Sequence, residues 1–208
     1  MKIMKKVGLL LSALFVCMVA SAQITLNCKG GFGISTMAGS DAEGSKIKTG
    51  WKIGVGLEKP LSANWLLMPT LEFKQKGSQF KDVSGGGNFE DKVTLQYIQL
   101  PIMVAYRTRL NDNLNLTLKA GPYFAYGISG KEKFVDDYNG NHDEGENDFF
   151  GSDTNRFDCG IAIGADFEYH RFVVGLEGEY GFISLYKNDD DHIKVYNAGA
   201  YVTVGYKF

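Results

Sequence analysis

The chain has 208 residues, with 22 basic and 24 acidic side chains and a formal net charge of −2, a balance too mild for a nucleic-acid-binding surface. It carries 26 glycines, 14 phenylalanines and 11 tyrosines but only 4 prolines, and its mean hydropathy is −0.15. With no helical periodicity sustained beyond the first segment, these numbers exclude a bundle of membrane helices and leave a single domain of alternating strands.

Residues 1–22 read as a secretory signal. Lys2, Lys5 and Lys6 form a positive head, Val7 to Ala20 an apolar stretch that holds Cys17, and Ala20-Ser21-Ala22 a small-residue cleavage site before Gln23. The stretch is short for a spanning helix, which needs about 20 residues. Removal of three lysines leaves 19 basic against 24 acidic residues, a net of −5. The domain then runs over 23–208.

Eight alternating segments follow, at 24–37, 50–60, 65–77, 92–109, 114–133, 155–169, 172–186 and 193–208. In the second, Trp51, Ile53, Val55 and Leu57 oppose Lys52, Gly54, Gly56 and Glu58. In the fourth, Ile98, Leu100, Ile102, Val104 and Tyr106 share a face, but Leu95 and Tyr97 fall out of phase, so a bulge near Gln96 or an aromatic inside the sheet is expected. The sixth sets Phe157, Ile161, Ile163 and Phe167 against Asp158, Gly160, Gly164, Asp166 and Glu168. The seventh sets Phe172, Val174, Leu176, Tyr180 and Phe182 against Val173, Gly175, Glu177, Glu179 and Gly181. The eighth alternates Tyr196, Ala198, Ala200, Val202, Val204 and Tyr206 with Asn197, Gly199, Tyr201, Thr203, Gly205 and Lys207, and ends on Phe208.

The connections alternate in length. Short links fall at Ser62-Ala63-Asn64, Asn111-Asp112-Asn113 and Tyr169-His170-Arg171, and long polar ones at 38–49, 78–91, 134–154 and 187–192. Tight turns at one end, long loops at the other and an even strand number predict an all-β, eight-stranded, antiparallel up-and-down transmembrane barrel of the outer membrane, with both termini in the periplasm. Half of each strand faces lipid, so the average hydropathy stays near neutral while the pattern is strong. Cys28 and Cys159 fall on lipid faces of non-neighbouring strands and are expected to remain unpaired.

The inward set is the candidate functional constellation. Lys29, Lys52, Lys74, Arg107, Arg109, Lys119 and Lys207 supply positive charge, and Glu58, Glu72, Asp158, Asp166, Glu168, Glu177 and Glu179 negative charge. An eight-stranded barrel has an interior just wide enough for its side chains, so these charges are expected to pair across the lumen as a plug; the competing reading is an ion pathway. The 134–154 link contains Asp136, Asp137, Asp143, Glu144, Glu146, Asp148 and Asp153 with no lysine or arginine. Within it Asp137, Asn139, Asn141 and Asp143 repeat at twos like a calcium loop, but His142 stands where an EF-hand needs glycine. The four are weak metal candidates beside a solvated or lipopolysaccharide-bridging loop, and Asp189-Asp190-Asp191-His192 has the same standing. Catalysis is not supported: the three histidines lie in loops and turns, and no nucleophile or phosphate-loop pattern stands out.

The Tyr97-Ile98-Gln99-Leu100-Pro101-Ile102 stretch, Ala120-Gly121-Pro122-Tyr123-Phe124-Ala125-Tyr126, Asp158-Cys159-Gly160 and terminal Phe208 together resemble the PorT-like outer-membrane β-barrel family of Bacteroidetes. The resemblance implies an outer-membrane location over the whole mature chain, and its founding member is linked to secretion and gliding machinery; it brings no catalytic residues. The expected role is therefore non-enzymatic, structural or surface-interacting, without a cofactor. A narrow channel for small solutes and a secretion-assembly component are the alternatives. Expected partners are outer-membrane lipid and lipopolysaccharide, the barrel-assembly machinery through Phe208, and secretion or surface proteins, with no nucleic acid.

Overall fold

A computed structural model describes residues 24–84, 87–138, 141–187 and 193–208, with the backbone alone described at 81–84, 87–88, 136–138 and 141–143. The predicted signal at 1–22 lies outside the described residues. Among the described residues ten strands form: β1 (Thr25–Ala38), β2 (Ser45–Lys46), β3 (Lys48–Pro60), β4 (Trp65–Ser84), β5 (Gly87–Arg109), β6 (Leu114–Tyr138), β7 (Asn141–Asp148), β8 (Phe157–Tyr169), β9 (Phe172–Gly181) and β10 (Tyr196–Lys207). Eight of them close a ring in the order β1-β3-β4-β5-β6-β8-β9-β10. The closing pair is antiparallel, with Cys28 opposite Tyr206 and Phe32 opposite Val202. Closure leaves the ring without an unpaired edge, the condition for crossing a bilayer with strands.

The alternation sorts side chains as a membrane barrel requires. Phe32, Ile53, Val202 and Val204 are more than half exposed on the outer wall, while Lys52, Lys74, Asp166 and Thr203 beside them are buried inside. Leu57 also faces outward, yet it is largely covered beside its cross-strand neighbour Leu26. Aromatic side chains gather at two levels. Trp65 stacks edge-on with Tyr106 at 5.3 Å and Phe172 with Tyr206 at 5.4 Å near the short turns, and Trp51 meets Phe73 at 5.3 Å near the other end. Such girdles mark the two bilayer interfaces. Cys28 and Cys159 are free.

The short turns are built locally. Leu61 and Ser62 both donate their N–H to the Trp65 carbonyl, at 2.8 and 3.2 Å. Asn111 Oδ1 accepts from the N–H groups of Asn113 and Leu114 at 3.0 and 2.8 Å, an Asx turn. His170 adopts φ 53° between Tyr169 and Phe172, which pair directly.

Two of the long links are largely paired strand. The 78–91 segment is a hairpin in which β4 and β5 stay in register out to Ser84 opposite Gly87. The 134–154 link holds the end of β6 and all of β7, paired from Lys131 opposite Asp148 to Tyr138 opposite Asn141. Pairing rests on backbone groups, so it continues where apolar alternation has ended. In β5 the second of the two expected causes applies: the odd-numbered residues from Val93 to Ala105 stay inside without a break in phase, and the bulge near Gln96 falls on the partner strand. Gln96 pairs with Ser129 and Tyr97 with Gly127, leaving Ile128 as an extra residue on β6, and Leu95 and Tyr97 are themselves fully buried inside.

Candidate functional site: the charged interior and the closed mouth

The inward positions of the eight strands form three tiers of charge, the upper two joined through Glu72. Nearest the short turns, Arg107 on β5 donates to Glu58 on β3 at 2.5 Å and to Glu168 on β8 at 2.8 Å. Lys207 on β10 joins the same two carboxylates at 2.9 and 2.7 Å, and Thr117 donates its hydroxyl to Glu168 at 2.7 Å.

In the middle tier Asp166 takes Lys29 at 2.6 Å and Lys119 at 2.9 Å. Lys119 reaches Glu177 at 2.5 Å, and Lys52 joins Glu177 directly while holding Glu72 at 2.8 Å. In the upper tier Lys74 binds Glu179 at 2.6 Å and Glu72 at 3.1 Å. Lys76 joins Glu179 at 3.0 Å and Asp158 at 3.6 Å, while Gln99 donates to Glu179 at 2.8 Å. Lys74 and Glu179 stand on strands halfway round the ring from each other, so this pair spans the lumen.

Among the described residues these tiers set seven cations against seven carboxylates, so the network is neutral as a set. Pairing is what makes such burial tolerable, since an isolated ion out of water costs several kcal/mol. Rings fill the remaining space. Tyr201 sits beside Lys74, whose Nζ lies 4.7 Å from the ring centroid, and Tyr123 and Tyr97 flank Lys76 at 4.6 and 5.1 Å. These rings need the inward glycines: a Cβ on Gly33 would come within 2.7 Å of Tyr201, and one on Gly160 within 2.7 Å of Tyr123.

Above the charges the lumen turns apolar. Leu95, Tyr97, Phe149, Phe150, Leu185, Val195 and Met37 belong to one buried cluster. The segment after β7 folds over the mouth so that the Phe150 ring occupies the space where Gly127 and Gly130 would carry Cβ atoms, at 2.3 and 2.8 Å. Arg156 fixes it, with its guanidinium 4.9 Å from the Phe150 ring centroid and donating to the carbonyls of Gly127 and Phe150 at 3.2 and 3.3 Å. Thr154 donates to the Phe149 carbonyl at 2.9 Å.

The structure brings Lys52, Glu58, Glu72, Lys74, Arg107, Lys119, Asp158, Asp166, Glu177 and Glu179 into this network, together with Lys29, Glu168 and Lys207. Arg109 instead lies exposed at the end of β5. Lys76 belongs to the network and was missed, although counting by twos from Glu72 and Lys74 reaches it. Of the tyrosines inside, Tyr97 and Tyr201 stand where the alternation puts them, while Tyr123 is not singled out by the sequence, since an aromatic in a strand reads equally well as a lipid-facing residue. The side chains of Asp137, Asn141 and Asp143, and all of Asn139, lie outside the described residues, as does 188–192. Among the described residues no three histidine, cysteine or acidic side chains gather where they could hold a metal. Phe208 ends the barrel wall, donating its N–H to the Leu26 carbonyl at 2.9 Å with its ring 5.3 Å from Tyr206.

Residues 21–187 match the family described as outer membrane protein beta-barrel domain. The chain belongs to that family. Membership agrees with the closed ring and the lipid-facing wall, and places this barrel protein in an outer membrane. Among solved structures it is similar to Neisserial surface protein A, at 9% identity and a TM-score of 0.45 over 88% of this chain and 97% of that one. It is also similar to CarO2 of Acinetobacter baumannii, at 13% and 0.43 over 86% and 98%. A third likeness is to Ail, the attachment invasion locus protein of Yersinia pestis, solved with the heparin analogue sucrose octasulfate, at 16% and 0.42 over 89% and 99%. No curated protein matches the chain.

Proposed function

We propose that this outer-membrane barrel is a closed, non-enzymatic scaffold whose role is structural or surface-interacting. The observation that carries the reading is the interior itself: paired charge of both signs is tied across the lumen and covered at one mouth by Phe149 and Phe150. In this reading 1–22 is an export signal, the short turns and both termini are periplasmic, and the paired hairpins stand outside the cell beside lipopolysaccharide. Membership of the PorT-like branch belongs to the same proposal, with docking to a secretion assembly through the short turns as its consequence.

Purified protein in planar bilayers tests the closed scaffold. Current at background supports it, and steady wild-type current would instead favour a narrow channel for small solutes. Cysteine labelling of Ala63 and Asp153 variants in intact cells tests orientation, with label expected at 153 alone.

A further inference from the structure

The structure points to β7 as an open docking edge. Beyond the barrel, β4, β5, β6 and β7 continue as a four-stranded antiparallel sheet. β7 pairs with β6 on one side, and among the described residues no strand pairs with its other side. The Phe149 N–H, the next group along, donates to the Gly130 carbonyl of β6 at 3.0 Å. In an antiparallel ladder every second residue turns its N–H and C=O to the same neighbour. Gly145 and Asn147 therefore face β6, and the backbone groups of Glu144, Glu146 and Asp148 face the open side. An edge of this kind is a template for an added strand.

Charge decides what it would accept. Residues 134–154 contain seven acids and no lysine or arginine. Lys131 and Lys133 on β6 pair with Glu146 and Asp148 at 2.8–3.3 Å, and setting both lysines against the seven acids still leaves five negative charges. Glu144, Glu146 and Asp148 lie on one sheet face, opposite Val135, Lys133 and Lys131. A second copy of the same edge would set like charges opposite each other, which is unfavourable for cross-strand pairs. We propose that β7 receives an extended segment of a partner protein with lysine or arginine at alternate positions, which would place its cations beside these three carboxylates. The inference rests on the surface-interacting reading above and names the class of partner.

The test uses the full chain in zwitterionic nanodiscs and a short synthetic peptide alternating lysine with threonine, compared with its glutamate–threonine counterpart. The lysine peptide is expected to bind and to protect the amides of Glu144, Glu146 and Asp148 from exchange, while the glutamate peptide does not. Glu146→Pro removes an N–H that only the open edge uses, so the barrel should fold normally while binding weakens about tenfold or more. Glu144→Gln should weaken it about two- to fivefold. Equal binding of the two peptides, unchanged binding by Glu146→Pro, or protection confined to other strands would each overturn the proposal. The outcome is independent of conductance, so an open channel with a strand-accepting β7 would refute the closed scaffold alone.

Discussion

Glu177→Gln probes the centre of the charge network. Glu177 Oε1 lies 2.5 Å from Lys119 Nζ, and Oε2 meets Lys52 Nζ directly. The substitution removes one negative charge from a balanced interior and leaves it with one unmatched cation. Breaking a buried pair costs about 3–5 kcal/mol. Here Lys52 keeps Glu72 at 2.8 Å and Lys119 keeps Asp166 at 2.9 Å, and the amide oxygen still accepts from one of them, so a loss of about 3 kcal/mol is expected. In urea titrations of protein folded into lipid vesicles, read by heat-modifiable mobility, that corresponds to a midpoint shift of about 1–3 M. Adding Lys119→Met should recover much of the loss, because neutrality returns while Asp166 retains Lys29 at 2.6 Å. Conductance should remain at background in every variant. An unchanged midpoint together with steady wild-type current would refute the reasoning, since water in an open lumen would then be screening the missing charge.

Val202, exposed on the outer wall, should accept arginine at a cost of about 2–4 kcal/mol if it stands at the bilayer midplane, whereas Thr203→Ser, on the buried face, should cost less; the opposite ranking in vesicle titrations would mean the strand is misregistered. Deleting Phe208 removes its N–H bond to Leu26 and its ring contact with Tyr206, and should lower the amount of heat-modifiable barrel in the membrane at unchanged synthesis; equal amounts would count against an assembly role. On the hairpin beyond the barrel, burial raises the carboxyl groups of Asp91 and Glu132, which also hydrogen-bond each other. The folded hairpin then holds a proton that the opened one releases, so its local stability is full below the ordinary carboxylate range and declines as pH rises through the raised values. Exchange protection of amides 90–93 and 131–134, corrected for intrinsic rates, should fall from pH 5 to pH 8, and Asp91→Asn should flatten the dependence.

The barrel was legible because lipid imposes a period-two rule on every strand that crosses it, and Val202 with Thr203 or Glu177 with Leu176 obey that rule residue by residue. The rule weakens where its cause does. Outside the lipid-facing wall the outer face need not be apolar, so a sequence such as Asn141–Asp148 carries no alternation, yet it pairs fully with β6. Tyr97 was ambiguous for the converse reason: its apolar ring is inside, beneath Phe150 at 6.1 Å, where the lumen has passed from ion pairs to a hydrophobic closure. The pairing partners could not be read at all. Which carboxylate Lys74 meets depends on strand tilt and stagger, and these bring Glu179 across the lumen, whereas sequence supplies only the inward face.

Tilt and stagger also explain why the charges act as a lock. Neighbouring strands already share backbone hydrogen bonds, so an ion pair between them adds little definition. Lys29 with Asp166, Lys52 with Glu177 and Lys74 with Glu179 instead connect strands that do not touch in the ring. A slip of one strand by a single residue would turn its charged set outward into lipid and strand the partner set inside, and a slip by two would misalign the cations and carboxylates along the axis. Both faults leave buried charge uncompensated. Ion pairs are weak as net sources of stability but costly to break, so this network penalises wrong registers more than it stabilises the right one. Glycine opposite tyrosine acts in the same direction, because shifting Tyr123 away from Gly160 and Gly181 would set its ring against side chains that do not leave room for it. A barrel fixed in this way has little freedom to open its lumen, and the hairpins beyond the ring, free of lipid and of the network, are where a partner could be met without disturbing it.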